Sequence, residues 1–274
     1  MKAKKSLGQN FLNSPDVVRE IIEAGKVSPQ DQILEIGPGK GVLTHALLQT
    51  GARVVAIEKD DRMIQPLSEI FKNEIQEDRL RVIHGDALYI HARDIFKGDY
   101  KLIANIPYYI TGEIIRKFFE EEHQPELIVL MVQKEVAERI VTRDGKESIL
   151  SMSVKIYGTP RYIKTVEAAA FTPQPKVDSA ILLIEQISKE FFTDHTISEK
   201  DFFTVLKAGF AHKRKLLVNN LQEVSKKEVI ENTFEKLGIN RKVRPEDLTY
   251  NEWQQLITTI LSNSYDVGKE KSVG

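Results

Sequence analysis

Residues 34–44 read LEIGPGKGVLT, and the fold turns on how this stretch is read. A strand-like apolar run, QILEIG at 32–37, meets Gly37, Gly39 and Gly41 and passes directly into GVLTHALLQT at 41–50, whose apolar residues have helical spacing. Glycines between a strand and a helix let the backbone turn tightly and approach a ligand closely. The spacing is not G-x-G-x-x-G, so the stretch alone does not specify a dinucleotide site. A plain strand-to-helix turn stands beside the ligand-binding reading.

The same alternation continues outward. RVVAIE (53–58), LRVIHGD (80–86), KLIAN (101–105) and ELIVLMV (126–132) are short, β-branched runs, separated by helix-period segments such as TGEIIRKFFEEE (111–122). Their apolar residues are continuous rather than alternating, which suits strands covered on both faces. The pattern predicts an α/β fold with a mostly parallel, doubly wound sheet. Upstream, SPDVVREIIEAG (14–25) predicts a helix with Ser14 as N-cap, Pro15 at its first position and an apolar face of Val17, Val18, Ile21 and Ile22. Downstream, KEVAERI (134–140) predicts a helix, and SMSVKIYG (151–158), RYIKTV (161–166) and AILLIEQI (180–187) predict strands. Strands so close in sequence imply a hairpin, and hence an antiparallel edge.

From Ser188 the strand signals stop. ISEKDFFTVLKAGF, KRKLLVNNLQEV, KEVIENTFEKLG and RPEDLTYNEWQQLITTIL all have helical spacing, and Trp253, in step with Leu256 and Ile257, reads as core. The expected organisation is an α/β domain over 1–187, opening with a basic segment at 1–13, then a helical domain over 188–261 and a flexible tail over 262–274.

Composition narrows the function. The chain has 274 residues, 29% charged and 41% hydrophobic, which suits a folded globular protein. It contains no cysteine, so disulfides, thiolate catalysis and cysteine-ligated zinc are excluded. No apolar run approaches the roughly 18 residues of a membrane span. The opening MKAKKSLGQNFLNSPD has lysines but no apolar core of a secretory signal, so no membrane association and a cytoplasmic location are expected. The histidines lack metal-ligand spacing, and His212 reads as a surface residue, so no metal is expected. With a net charge of −1, a nucleic-acid partner needs local clusters. Three are present: Lys2, Lys4 and Lys5; Lys213, Arg214 and Lys215; and Arg241, Lys242 and Arg244. They are read as phosphate contacts.

Two carboxylates follow the glycine turn. Glu58 ends the next strand about 20 residues on, where a carboxylate can accept both hydrogen bonds of a ribose diol. Asp86 ends the third strand, where it can accept from the exocyclic amine of an adenine; a capping Asp is the structural alternative. Successive strand ends carrying Gly37, Gly39, Glu58 and Asp86 point to an adenosine-containing cofactor, without separating NAD from S-adenosylmethionine.

NIPYYI at 105–110, at the end of the fourth strand, makes that separation. The N6 amine of adenine is a poor nucleophile because its lone pair is delocalised into the ring. The Asn105 side-chain oxygen and the Ile106 carbonyl are placed to accept its two N–H hydrogens, which favours a tetrahedral nitrogen with its lone pair facing a sulfonium methyl. Pro107 sets the turn and Tyr108 offers a stacking face. Tyr109 and Ile110 are read as packing. A base treated this way must leave its helical stack. Phe171 in FTPQPKVDSA (171–180), on a loop stiffened by Pro173 and Pro175, is read as the second aromatic plate, with a plain proline-rich loop as the alternative.

KKSLGQNFL, EIGPGKGVLT, AIEKD, HGDAL, NIPYYI and FTPQPKVDSA resemble, in order, the blocks of the small-subunit ribosomal RNA adenine dimethyltransferases, the KsgA family; KRKLLVNNL and RPEDLT are similar too. The resemblance runs over nearly the whole chain. It implies a class I methyltransferase (Rossmann-like) fold with an all-helical C-terminal domain. It also implies transfer of two methyl groups from S-adenosylmethionine to N6 of each of two adjacent adenosines near the 3′ end of small-subunit (16S) rRNA. By motif match, Asn10, Leu12, Gly37, Glu58, Asp86 and Asn105 contact the cofactor, while Asn105, Pro107, Tyr108 and Phe171 shape the target pocket. The expected partners are small-subunit rRNA and a precursor of the small ribosomal subunit, met by a monomer. The rival readings are a large-subunit rRNA adenine methyltransferase conferring antibiotic resistance, a nonenzymatic RNA-binding assembly factor, and an NAD oxidoreductase. The last leaves NIPY unexplained.

Overall fold

The computed structural model describes residues 9–270, with side chains described as far as Asn263. The lysines at 2, 4 and 5 and most of the basic opening segment therefore lie outside the described residues. The chain forms two compact units. The first runs to Val141 and resumes over Gly158–Ser188; the second takes Thr142–Tyr157 and resumes at Lys189.

Among the described residues the first unit carries nine strands: β1 (Phe11–Leu12), β2 (Gln32–Ile36), β3 (Arg53–Glu58), β4 (Leu80–His84), β5 (Lys101–Asn105), β6 (Leu127–Gln133), β7 (Thr159–Val166), β8 (Phe171–Thr172) and β9 (Ser179–Glu185). β1 and β8 form a small antiparallel pair. The remaining strands make one sheet in the order β4-β3-β2-β5-β6-β9-β7. β2 to β6 are mutually parallel, and β9 runs antiparallel to both β6 and β7. This is the mostly parallel sheet with an antiparallel edge that the apolar runs predict. Its centre is fully buried: Ile33, Leu102, Ile103 and Val129 have no exposed surface. Each such side chain contributes about 1.5–3 kcal/mol through burial.

Chain order reverses between β2 and β5, because β3 and β4 build outward on one side and β6 on the other. In open α/β sheets the crevice at such a reversal, beyond the carboxyl ends of the strands, is where ligands bind. Gly37 follows β2 and Asn105 closes β5, so both predicted motifs sit at this crevice.

The helix Pro15–Ala24 starts as its sequence implies, with Ser14 Oγ accepting the Val17 N–H and Pro15 in the first turn. The glycine turn feeds the helix Val42–Gln49, and the segment after NIPYYI forms the helix Thr111–Glu120.

Two expectations need correction. SMSVKIYG is not a strand; Ile149–Lys155 is a helix. Ser148 and Ser151 cap each other reciprocally, satisfying two N-terminal N–H groups that a strand would leave to a neighbour. Nor is there a single boundary at 187/188, because this helix belongs to the second unit. Its tethers explain why: the Glu147 N–H bonds the Glu246 carbonyl, Lys146 pairs with Glu246 at 2.8 Å, and the Tyr157 hydroxyl donates to Glu199.

The second unit is otherwise helical, with Glu199–Phe210, Leu217–Asn220, Lys227–Lys236 and Tyr250–Glu270. KRKLLVNNLQEV yields only a four-residue helix followed by a tight turn at Leu221–Glu223. Trp253 is core: fully buried, it stacks on Phe210 at 5.0 Å and donates its Nε1–H to the Pro245 carbonyl at 3.0 Å. The tail expected at 262–274 is helical to Glu270, and residues 271–274 lie outside the described residues. No helix among the described residues is long and apolar enough to cross a membrane.

Candidate active site

A cavity of about 270 Å³ opens at the crevice between β2 and β5. Its lining brings together Gly37, Gly39, Glu58, Asp86, Asn105 and Tyr108. Asn10, Leu12 and Pro107 line it as well. Phe171 does not: it is 3% exposed, pairs across the β1–β8 ladder with Leu12 and belongs with Phe11 and Leu12 to the hydrophobic core. The ring expected as a plate is packed among the apolar side chains of the core and is not on the cavity surface.

Gly37, Gly39 and Gly41 all have positive φ, at 69°, 55° and 79°. At Gly39 the lack of a side chain also permits a close approach, since a Cβ there would lie 3.0 Å from the Phe11 ring. The turn is tied to β3 from both ends. The Gly37 N–H bonds the Ile57 carbonyl at 2.9 Å, and the Gly39 N–H bonds Glu58 Oε2 at 3.0 Å. Glu58 Oε1 accepts the Asp60 N–H at 2.7 Å. Burial raises the Glu58 pKa against these bonds. Asp60 in turn binds Gln9 at 2.9 Å and Arg62, whose guanidinium holds its carboxyl far below the usual range.

Asp86 takes the local cap considered for it and also lies at the cavity. Oδ1 accepts the Leu88 N–H at 3.1 Å, the local cap, while the side chain also lines the cavity. Oδ2 pairs with Lys59 at 2.7 Å. Burial pulls its pKa up, but the Lys59 ammonium and the Leu88 N–H outweigh it and hold the carboxyl below its ordinary value.

Asn105 donates Nδ2–H to the Asn10 carbonyl at 3.2 Å. That bond fixes the amide plane and turns Oδ1 away from Asn10. Tyr108 begins a tight turn, Tyr108–Ile110, and is half-buried, with its hydroxyl 2.6 Å from Ser179 Oγ on β9. Burial raises its pKa. Tyr109, expected to pack, is 61% exposed and lines the cavity.

Sequence reading missed Glu35. It lies inside β2, is 1% exposed and lines the cavity, and its Oε2 has no hydrogen-bond partner among the described residues. Burial, reinforced by the nearby Glu58 carboxylate, pushes its pKa up to about 8. The available signal was a carboxylate in the middle of an otherwise apolar strand, QILEI. Phe11 and Lys40 were also missed; the Lys40 ammonium sits 4.9 Å over the Phe11 ring beside the glycine turn. Among the described residues no cluster of side chains suits a metal ion.

A doubly wound sheet with a glycine turn and two carboxylates, Glu58 and Asp86, at successive strand ends around one crevice has the form of an α/β enzyme with its ligand site at the switch point of the sheet. The chain matches the model of the ribosomal RNA adenine dimethylase family over residues 1–261 and belongs to that family. It is an S-adenosylmethionine-dependent rRNA methyltransferase. It is 41% identical over 268 residues to the ribosomal RNA small subunit methyltransferase A of Dehalococcoides mccartyi (strain CBDB1), covering 96% of this chain and 90% of that one. Identity is 37% over 271 residues to the protein of the same name from Clostridium botulinum (strain Okra / Type B1), covering 97% and 95%. A dimethyladenosine transferase from Plasmodium falciparum superposes with a TM-score of 0.74 at 30% identity, covering 90% of this chain and 95% of that one. The 23S rRNA methyltransferase ErmE shares the fold, with a TM-score of 0.73 at 21% identity over 92% of this chain and 99% of that one.

The residues present fit the methyl donor. Its sulfonium is a cation, and the carboxylates of Glu58, Asp86 and Glu113 border the cavity. The glycine turn keeps side chains out of the space beside Phe11.

Proposed function

We propose that this protein methylates N6 of two adjacent adenosines near the 3′ end of 16S rRNA, twice each, and that the reaction is coupled to maturation of the small ribosomal subunit. It acts as a cytoplasmic monomer on a precursor of that subunit. The observation that carries the reading is Asn105. It closes β5 with its amide anchored on Asn10, in the same cavity as Gly37 and Glu58. Identity of 41% to a protein named for the small subunit supports that choice of rRNA.

Asn10, Leu12, Gly37, Gly39, Glu58 and Asp86 hold the cofactor, which supplies the methyl group. Glu58 has each oxygen committed to one backbone N–H, and its remaining lone pairs are the acceptors for the ribose hydroxyls. Asn105 Oδ1 and the Ile106 carbonyl accept the two N6 hydrogens of the target adenine. They draw its lone pair out of conjugation, and as preorganised acceptors they act most strongly where positive charge develops on nitrogen. No strong base is required, because the nitrogen becomes acidic once alkylated. Pro107 fixes the turn and Tyr108 stacks on the base, its ring held by the Ser179 contact at 2.6 Å. Phe171 shapes the pocket from the hydrophobic core it shares with Phe11 and Leu12. After the first transfer one N–H remains, so the same acceptors orient the amine again.

Lys213, Arg214 and Lys215 are exposed on the second unit and serve as phosphate contacts, as do Lys242 and Arg244. Arg241 is shared with Glu231 and Glu235, at 3.6 and 3.9 Å. The test is transfer of labelled methyl groups to unmethylated small subunits, with the product mapped by mass spectrometry. Dimethyladenosine at two neighbouring positions is expected. A mark found only in large-subunit rRNA overturns the reading.

A further inference from the structure

Large apolar side chains left exposed among the described residues are Val42, Ile70, Tyr89, Tyr109, Ile149 and Val177. Three of them, Val42, Tyr89 and Tyr109, line the same cavity, and they are 40%, 82% and 61% exposed. Scattered single apolar residues need no explanation, but a group at the rim of a binding site does. The two rings have no part in the cofactor and amine contacts described above.

The local geometry separates the two neighbouring tyrosines. Tyr108, Tyr109 and Ile110 form one turn of three residues. At about three residues per turn, successive side chains diverge by roughly 120°. Tyr108 points inward to Ser179, and Tyr109 is thereby carried to the outside of the same cavity. Tyr89 reaches the rim from the other side of the crevice, three residues after Asp86, where its N–H bonds the Asp86 carbonyl at 3.0 Å. Lys59, 59% exposed and paired with Asp86, adds a cation to that side.

An adenine drawn into the cavity leaves its neighbours in the RNA without a stacking partner. Single-stranded RNA meets that need on aromatic faces that are exposed and held by the backbone. We propose that Tyr109 and Tyr89 form an aromatic rim that stacks on the unpaired bases flanking the adenosine being methylated, with Tyr109 taking the other adenosine of the pair. The inference rests on the function proposed above and extends it. While one adenosine reacts against Asn105 and Tyr108, its partner waits on Tyr109.

The test uses the full chain and a small-subunit rRNA hairpin in which one of the two adjacent adenosines is replaced by 2-aminopurine, whose fluorescence is quenched by stacking. Wild-type protein is expected to quench the probe. Tyr109→Ala is expected to weaken RNA binding about tenfold and to relieve the quenching. Tyr109→Trp restores both, and the affinity for S-adenosylmethionine is the same in all three. Tyr89→Ala has a smaller effect of the same kind. If Tyr109→Ala binds RNA and quenches as wild type does, or if the loss falls on S-adenosylmethionine affinity, the rim does not stack on RNA. A wild-type protein that transfers no methyl group to small-subunit RNA overturns the proposed function and this inference together. An active wild type with an unaffected Tyr109→Ala overturns this inference alone.

Discussion

Glu58 Oε2 accepts the backbone N–H of Gly39 at 3.0 Å, so the acid at the end of β3 and the glycine turn after β2 form a single structural unit. The other oxygen accepts the Asp60 N–H, and Asp60 reaches Gln9 in the segment that crosses the site. The residue that binds the cofactor in the proposed function is therefore also the one that sets the shape of the turn. Glu58→Gln puts an amide donor against one of two backbone donors. A buried donor left without an acceptor costs about 1–3 kcal/mol. The variant is expected to lose that much stability in urea melts and to bind S-adenosylmethionine at least tenfold more weakly by calorimetry. Wild-type affinity would mean that Glu58 is only a turn anchor.

Gly41 tests the turn without touching a cofactor contact. It has φ 79°, and a Cβ there would fall 2.5 Å from the ring of Phe71, itself buried to 2% exposure. Gly145 has φ 75° with nothing within 4 Å of a Cβ. Gly145→Ala is expected to cost only the left-handed backbone penalty, about 1–2 kcal/mol. Gly41→Ala should cost more than that, because overpacking a core adds about 1–3 kcal/mol. Denaturant melts of the two variants separate the terms. Equal losses would show that Phe71 can move aside freely.

The parts of this molecule legible in its sequence are those fixed by local chemistry. Ser14 and Pro15 announce a helix start, and the unbroken apolar runs of β2, β5 and β6 announce buried parallel strands. Positions decided by distant partners were not legible. SMSVKIYG has the β-branched look of a strand, yet reciprocal caps between Ser148 and Ser151 make it a helix, and contacts with Glu199 and Glu246 assign it to the second unit. Phe171 and Tyr109 were read the wrong way round for exposure. The side to which an aromatic ring turns depends on core packing such as that of Phe171 with Phe11 and Leu12, far off in the chain, and on the phase of a three-residue turn. Glu35 was visible as a letter but not as a site, because its meaning comes from the cavity beside it.

Glu35 also gives stability a pH signature. Its pKa in the folded protein is about 8 against 4.5 in a free chain. Between those values the folded protein holds a proton that the unfolded chain has released. Stability from this group is therefore full below about pH 4.5 and is lost as pH rises through 8, with a slope of at most about 1.4 kcal/mol per pH unit. Glu58, also raised, acts in the same direction. Asp31, Asp60, Asp86 and Glu185 are held low, so their contributions are lost on the other limb, as pH falls below the ordinary carboxylate range. Glu35→Gln keeps the shape and removes the titration. It is expected to flatten the decline between pH 5 and 8 and to be more stable than wild type at pH 8, measured by urea melts across that range. An unchanged slope would mean that Glu35 is ionised in the folded protein.

Asn105 bears on the chemistry most directly. Its amide is oriented by one bond to Asn10, and the residue is only partly buried at the end of β5, so Asn105→Ala removes an acceptor without opening the core. If that acceptor acts on the amine mainly as charge develops, the loss falls on the chemical step. Removing one preorganised group of this kind slows turnover by about 10²–10³. The expected result is single-turnover methyl transfer reduced on that scale, with RNA affinity within about twofold of wild type. Asn105→Asp separates orientation from charge, since it keeps an acceptor oxygen while losing the N–H that bonds Asn10. It should recover part of the rate if the acceptor matters most, and none if the anchor on Asn10 does. Methyl transfer by Asn105→Ala at the wild-type rate would remove the side-chain acceptor from the mechanism altogether.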